Sequence, residues 1–483
     1  MKLSYLLTFR LFHHHKQFQR IQSFLISRKK HNPSTEADEL KRPMKLSTLY
    51  VPGRYGAEMY QIVRPVINVE DISRNLDKIR QSCHLRGIDV DLKNIVDSLQ
   101  QLESERREFA SFVEKDRQYI EELKQLHSSG DEARLNSLKK EHEVFIEKLK
   151  SAKEKLHNTE ELILPVVQRI PNLIHELTPL LSDITEERNS CHSEQDFNLL
   201  PHTDICKQTS LLKFSKNKAK SYYFKGVLAD LELAIQIYFC NKLSKNDYGA
   251  ISCADFCKSF LLEAVGRDPY SVKQTIPIKM RVERGQMLHL VGGASFESFC
   301  AYLTNMNVSK TNLPMKYFSI GRLYNAENSE PMTFDLFSVV QSTSIHCLTC
   351  CEDGQSENEE FEAMFDLISA CYNNFKIPFR IVNCSTKRLN VAECRRKQLE
   401  IWSPSKHMYI PVAHVSGYSD FVSKRLHSTY GIEHIVEGYC HLVEGVAVNI
   451  PVLIGCIVEN FQKPNELFHF PEELEFLQRL IED

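Results

Sequence analysis

Between Val66 and Leu164 the chain has no proline; the nearest lie at Pro65 and Pro165. That gap removes the strongest helix breaker from a long stretch and leaves it free to form extended helices. The first 35 residues have no acidic side chain: Glu36 is the first, after Lys2, Arg10, Lys16, Arg20, Arg28, Lys29 and Lys30. A secretory signal is absent as well, and the fifteen cysteines are an odd number without a framework spacing. Those two absences point away from a disulfide scaffold and toward reduced thiols inside a cell. No run is apolar enough to insert in a membrane. The best candidate, Cys440–Val458, is interrupted by Glu444, Asn449 and Pro451 and reads as a buried strand followed by a helix. The net charge of −3 offers no global argument for nucleic acid or lipid. No internal repeat is present.

The proline-free stretch carries a seam. Leu102, Arg106, Phe109, Val113, Asp116, Ile120 and Leu123 alternate at steps of three and four, and Leu135, Leu138, His142, Phe145, Leu149, Ala152 and Leu156 repeat the rhythm. Ser128-Ser129-Gly130-Asp131 is the turn signal between them. This predicts an antiparallel α-helical coiled-coil hairpin over about 91–163. Its surface offers Lys115, Arg117, Lys124, Arg134, Lys139 and Lys140 as candidate RNA contacts. Between Leu92 and Ile163, however, 13 Lys/Arg face 16 Asp/Glu, so the arm is not a basic rod, and a solvated or protein-docking coil competes with an RNA-binding one.

The basic, acid-free N-terminus, with Phe18, Ile21 and Leu25 on one helical face, predicts a mitochondrial transit peptide and linker over 1–40 and residence in the mitochondrial matrix. Residues 41–178 then form an N-terminal domain bearing the arm, and 179–483 a second domain. In the latter, Val227–Leu243 predicts an apolar helix, Phe361–Asn374 a second, and Asp353–Glu360 a solvated acidic loop. Leu288–Val291, Tyr317–Gly321, Phe334–Val340, Ile345–Thr349 and Phe379–Val382 predict strands.

Two features together resemble seryl-tRNA synthetase, a class II family, over nearly all of residues 60–470. One is the arm, entered through Arg86-Gly87-Ile88-Asp89-Val90-Asp91-Leu92. The other is a series of class II motifs in the family's order: Gly226–Leu243 with Tyr248–Ala254 for the first, Tyr324-Asn325-Ala326-Glu327 with Ser338–Ser342 and Ser344-Ile345-His346 for the second, and the run ending in Glu459-Asn460 for the third. The resemblance implies an α+β chain: a coiled-coil hairpin followed by a class II antiparallel β-sheet flanked by helices. It also implies an arm that reaches serine tRNA, a dimer built on the first motif, and serine activation by ATP.

The motifs depart from the family where that chemistry resides. The resemblance puts Asn325 where an arginine holds the α-phosphate, Ser342 where an aromatic stacks on adenine, and His346 where a glutamate meets the seryl amino group. Val452 stands for the γ-phosphate arginine, Pro411 for an ATP-facing glutamate and Ser295 in the stretch that should grip serine; Cys253 replaces a proline of the first motif. Glu327, Gln341, Ser419-Asp420-Phe421 and Arg425 still match. From Tyr317 to Cys350 the only cation is Arg322. Nucleotidyl transfer depends on positioned positive charge, and Asn, Val and Ser supply none. In this the chain resembles the degenerate, insect mitochondrial branch of the family.

Other motifs carry less. Cys347-Leu348-Thr349-Cys350 lacks a second Cys-x-x-Cys and reads as buried free thiols rather than a zinc site, so no metal and no cofactor are expected. Val291-Gly292-Gly293 lacks the Gly-Lys-Ser/Thr ending of a phosphate loop and reads as a tolerated gap. The expectation is therefore a catalytically inactive binding or regulatory subunit. Its expected partner is a competent mitochondrial seryl-tRNA synthetase, as a heterodimer supporting aminoacylation of tRNA(Ser). The alternatives are an independent mitochondrial RNA-binding or gene-expression factor and, last, an active ligase with altered substrate, which ATP–pyrophosphate exchange across all amino acids would reveal.

Overall fold

The computed structural model describes residues 47–49, 69–88, 90–129, 131–188, 199–215, 221–278, 287–326, 334–433, 435–463, 468 and 470–482. The transit segment, Asp89, Gly130 and Glu327 lie outside the described residues. Among the described residues twelve helices run α1 Val69–Arg74, α2 Leu76–Leu85, α3 Leu92–Ser129, α4 Glu132–Val167, α5 His202–Thr209, α6 Val227–Ser244, α7 Ser259–Ala264, α8 Phe296–Leu303, α9 Gly354–Asn373, α10 Phe421–Leu426, α11 Ile450–Asn460 and α12 Glu475–Glu482. The strands of the main sheet are β1 Ile184–Arg188, β2 Gly249–Ala250, β3 Met315–Tyr324, β4 Gln341–Cys351, β5 Phe379–Asn383, β6 Arg395–Ser403, β7 Met408–Ser419 and β8 His441–Asn449.

The expected hairpin is α3 packed on α4, each roughly 55 Å long at 1.5 Å per residue. Asp131 caps α4, its side chain accepting from the Arg134 amide. The helix outruns the expected end and passes through Pro165 to Val167. Pro165 sits in the final turn, where its missing N–H leaves only one carbonyl without an intrahelical donor. Apolar burial is concentrated at the base, where Leu99, Leu102, Leu156 and Leu164 join Ile79 and Cys83 of α2. Polar pairs also cross the seam: Arg106 to Glu160 at 2.8 Å within the base and, farther out, His142 to Asp116 at 2.6 Å.

The base is pinned to the body. Arg86 donates to the carbonyls of Asn390 and Glu393, and Asn172 Nδ2 donates to those of Ala392 and Tyr418. This gives the family-like Arg86 a local role: its half-buried guanidinium satisfies carbonyls of the loop before β6.

Among the described residues the sheet has eight strands in the order β1-β5-β6-β7-β8-β4-β3-β2. All pairs are antiparallel except the short β2–β3 contact. One face is apolar: Ile345, Cys347, Leu399, Val415, Val443 and Ala447 meet α6, α9 and α11. The other face is mixed: Ser342, Ser344, His346 and Glu444 lie on it, and farther along Leu348, Cys350 and Leu442 join a second apolar cluster with α7, α8 and α10; both faces are buried, so β4 shows no alternation in its sequence.

Three expectations need correction. Phe334–Val340 is a turn, not a strand; Asp335 shapes it by accepting from the Phe337 amide and the Ser338 hydroxyl. The stretch 353–360 is not a loop but the first two turns of α9, closed by a capping box between Asp353 and Ser356. Its acids are engaged: Glu357 lies 2.8 Å from His441 and Glu360 lies 2.6 Å from Lys316. The polar, weakly periodic stretch of about 180–222 predicts loops and short strands from its sequence, but it also holds the helix α5. Among the described residues no helix is long and apolar enough to cross a membrane.

Candidate functional site

The polar sheet face is built by alternation. Ser342, Ser344 and His346 point there from β4, Glu444 from β8, His414 and Ser416 from β7, and Arg396, Gln398 and Glu400 from β6, because cross-strand partners share a face. At its centre Glu444 is almost fully buried, 3.5 Å from His346 Nδ1 on one oxygen and 3.5 Å from His414 Nε2 on the other. The Tyr418 hydroxyl is also 3.5 Å away. Burial alone would push the Glu444 carboxyl up; His414 and His346 outweigh it and hold it at about 2. For His346 burial dominates and lowers its pKa to about 4 against the pull of Glu444. The ring is therefore neutral near pH 7. Neither of its nitrogens has a hydrogen-bond partner among the described residues, the 3.5 Å approach to Glu444 being too poorly aligned.

The cations near this face are already matched. Arg396 pairs with Glu393 and donates to Ser416 Oγ at 3.2 Å; Arg380 pairs with Glu400 at 2.6 Å. Arg388 joins Glu400 to Asp183, and Arg267 lies 3.1 Å from Glu297. Arg322, exposed on β3, points to the opposite side and donates to Thr343.

The six residues singled out in the sequence do not converge. Ser342 and His346 share the polar face, two residues either side of Ser344. Asn325 is exposed beyond the end of β3, its amide donating to the Val340 carbonyl at 2.8 Å. Val452, in the first turn of α11, belongs to the apolar core. Pro411 is exposed opposite Glu400 at a bulge between β6 and β7. Ser295 caps α8, accepting from the Ser298 amide and donating to the Gly292 carbonyl at 2.7 Å. Gly292 is not a tolerated gap: its φ is +94°, and a Cβ there would come within 1.9 Å of the Arg322 carbonyl oxygen. The loop must carry glycine to pass β3. Sequence reasoning missed Glu444 and His414; their signal was the charged residue inside an otherwise apolar run and the polar alternation of His414 and Ser416.

On the arm, an open groove of about 390 Å³ is lined by Tyr119, Lys140, Glu141, Val144, Phe145 and Lys148. Tyr119 lies 5.2 Å from the Phe145 ring and 5.5 Å from His142. Lys140, Val144 and Lys148 are spaced by four and share one helix side; Lys115 is four residues before Tyr119 on α3 and Arg134 two turns before Glu141 on α4. Arg117, Lys124 and Lys139 fall on other sides of their helices. The predicted cations are thus divided, and Lys148 and Tyr119 complete the group that is together. Cys347, Cys350 and Cys351 are fully buried thiols whose pKa values burial raises. Among the described residues no group of three or more His, Cys, Asp or Glu could hold a metal ion.

Comparison with known proteins places this arrangement. Residues 290–461 fit the tRNA synthetase class II core domain (G, H, P, S and T). The chain is 26% identical over 422 residues to the serine--tRNA synthetase-like protein Slimp of Drosophila melanogaster, covering 86% of this chain and 89% of that protein. It is 22% identical over 433 residues to a serine--tRNA ligase of Treponema denticola, covering 85% and 98%. Two crystal structures share the fold: the cytoplasmic serine-tRNA ligase of Naegleria fowleri in complex with AMP, and the seryl-tRNA synthetase of Pyrococcus horikoshii complexed with ATP. The first has a TM-score of 0.69 at 20% identity over 87% of this chain and 98% of that one. The second has 0.67 at 15% over 82% and 95%.

Proposed function

We propose that this seryl-tRNA synthetase-like chain, whose residues 290–461 are a class II tRNA synthetase core domain, works by contact rather than by chemistry. It is a catalytically inactive mitochondrial subunit that dimerises with a competent mitochondrial seryl-tRNA synthetase and supports aminoacylation of tRNA(Ser). One observation carries the reading: Arg267, Arg380, Arg388 and Arg396, the arginines near the polar residues of the sheet among the described residues, are each engaged by a carboxylate, and a neutral buried histidine stands beside Glu444. A triphosphate brought there would meet no uncommitted cation among the described residues, and buried charge without a partner costs several kcal/mol. Asn325 and Val452 add none.

The helix that the dimer would use is kept: α6 buries Leu228, Leu231, Ala234 and Ile235 in the core and leaves Leu233 exposed. The acid-free N-terminus supports delivery to the mitochondrial matrix. Affinity isolation of the full-length protein from mitochondria tests the dimer: a serine-charging enzyme should co-purify in about equal amount, whereas a homodimer or monomer alone would defeat it.

The groove of Tyr119, Lys140 and Lys148 favours a second reading, an independent mitochondrial RNA-binding factor, because an aromatic ring flanked by lysines suits an unstacked base and its phosphates. Crosslinking and sequencing separates the two: serine tRNA supports the first, broad mitochondrial RNA the second.

A further inference from the structure

A second cavity, of about 310 Å³, lies where the arm meets the body, far in chemistry from the polar sheet face. Its apolar lining includes Ile72 of α1, Val167 at the end of α4, and Leu173, with Asp71 and Asn75 beside Ile72. The helix α10 with the residue before it also lines the cavity and brings Asp420, Phe421, Lys424 and Arg425 to it. Lys424 is already matched, 2.7 Å from Asp420 and 3.9 Å from Asp71.

Arg425 differs. Its guanidinium lies over the Phe421 ring and donates to two neutral acceptors, the carbonyls of Phe421 at 2.9 Å and Gln168 at 3.3 Å. No carboxylate among the described residues comes within 4.0 Å of it; Glu263 and Asp420 act on it only through space. Burial lowers its pKa to about 9 despite both of them, as expected for a guanidinium removed from water without a contacting anion. Glu263 is itself saturated, accepting from the hydroxyls of Ser47 and Thr48 and from the amides of Thr48 and Leu49. A guanidinium carries five N–H donors, and two bonds leave enough for a forked contact.

We propose that this joint cavity binds a small amphiphile bearing one anionic head group, a carboxylate or a phosphate monoester, on a short apolar body. The head lies on Arg425 and the body along Ile72, Val167 and Leu173. The volume is at the small end of ligand sites and excludes a nucleotide triphosphate, which would also need more cations than the single uncommitted one. Because α1, α4 and α10 all contribute, an occupant touches both the arm and the body.

Titration of the full-length protein, followed by calorimetry and by thermal melting, tests this with octanoate, octyl phosphate and octylamine. Octanoate or octyl phosphate should bind saturably and raise the melting temperature, and octylamine should bind at least about tenfold more weakly, since the head meets a cation. The better of the two anions identifies the head group. Ile72→Trp fills the apolar wall while leaving Arg425 in place, and should weaken the preferred anion by about tenfold or more with an unchanged circular dichroism spectrum. Octylamine binding as tightly as the anions, no saturable binding of either anion, or equal affinity in Ile72→Trp would each overturn the proposal. The comparison of anion with amine uses only the wild-type chain and does not depend on any variant folding.

Discussion

At the base of the arm Leu99 and Leu102 are each 1% exposed, whereas farther out the seam residues Val113 and Ile120 are 47% and 40% exposed. The polar side of the sheet is the reverse case: Glu444 is 2% and His346 4% exposed, although both are polar. The distal arm spends little burial on its own fold, carries the His142–Asp116 pair across its seam, and leaves its surface available. The sheet face is closed, and its charges satisfy one another. A surface suited to contact therefore sits beside an interior that offers no free charge for phosphate chemistry.

Substitutions at the two ends of the arm sharpen that contrast most. Leu99→Ala should cost about 3–4 kcal/mol in urea unfolding, from lost burial and the cavity left behind, while Val113→Ala costs under about 1 kcal/mol. Equal costs would mean that the distal arm is as well packed as its base. On the sheet, Glu444→Ala should cost about 3 kcal/mol, because two imidazoles and the Tyr418 hydroxyl lose the carboxylate between them. A negligible cost would show that the cluster is wet rather than closed.

Acid provides a third probe. His346 has a folded pKa of about 4 against an ordinary 6.5, so the unfolded chain takes up the proton first. Its contribution is complete above about pH 6.5 and is lost as pH falls toward 4, by roughly 3 kcal/mol. His441, raised by its hydrogen bond to Glu357, works in the opposite sense and is stabilising below its ordinary value. The wild type and His346→Phe should therefore diverge between pH 7 and 5, with the variant losing less stability on acidification; parallel pH profiles would contradict a neutral buried ring. The smallest expected effect is on the arm surface. Lys140→Glu with Lys148→Glu should weaken RNA binding by about tenfold and flatten its salt dependence, with stability changed by under about 0.5 kcal/mol.

The hairpin was legible because heptad spacing and a single turn signal are local properties, and β8–α11 because an apolar run with flanking breaks is local too. The start of α9 was not, since acids at a helix N-terminus look like a solvated loop until the Asp353–Ser356 capping box is seen. The individual replacements at Asn325, Val452 and Pro411 could be named from order along the chain, but their places could not: Val452 is in the core and Asn325 lies outside the polar face. Glu444 with His346 and His414 is a cross-strand cluster, assembled by the registers of β4, β7 and β8, and those pairings are long-range. The same holds for Arg425, whose carbonyl acceptor at Gln168 lies far away in sequence.

Serine-dependent ATP–pyrophosphate exchange, measured on the purified full-length chain, tests the central claim most directly. The account predicts exchange indistinguishable from the reaction without protein at any serine concentration. Serine-dependent exchange above that background, abolished by Glu444→Ala, would contradict it and return the sheet face to catalysis.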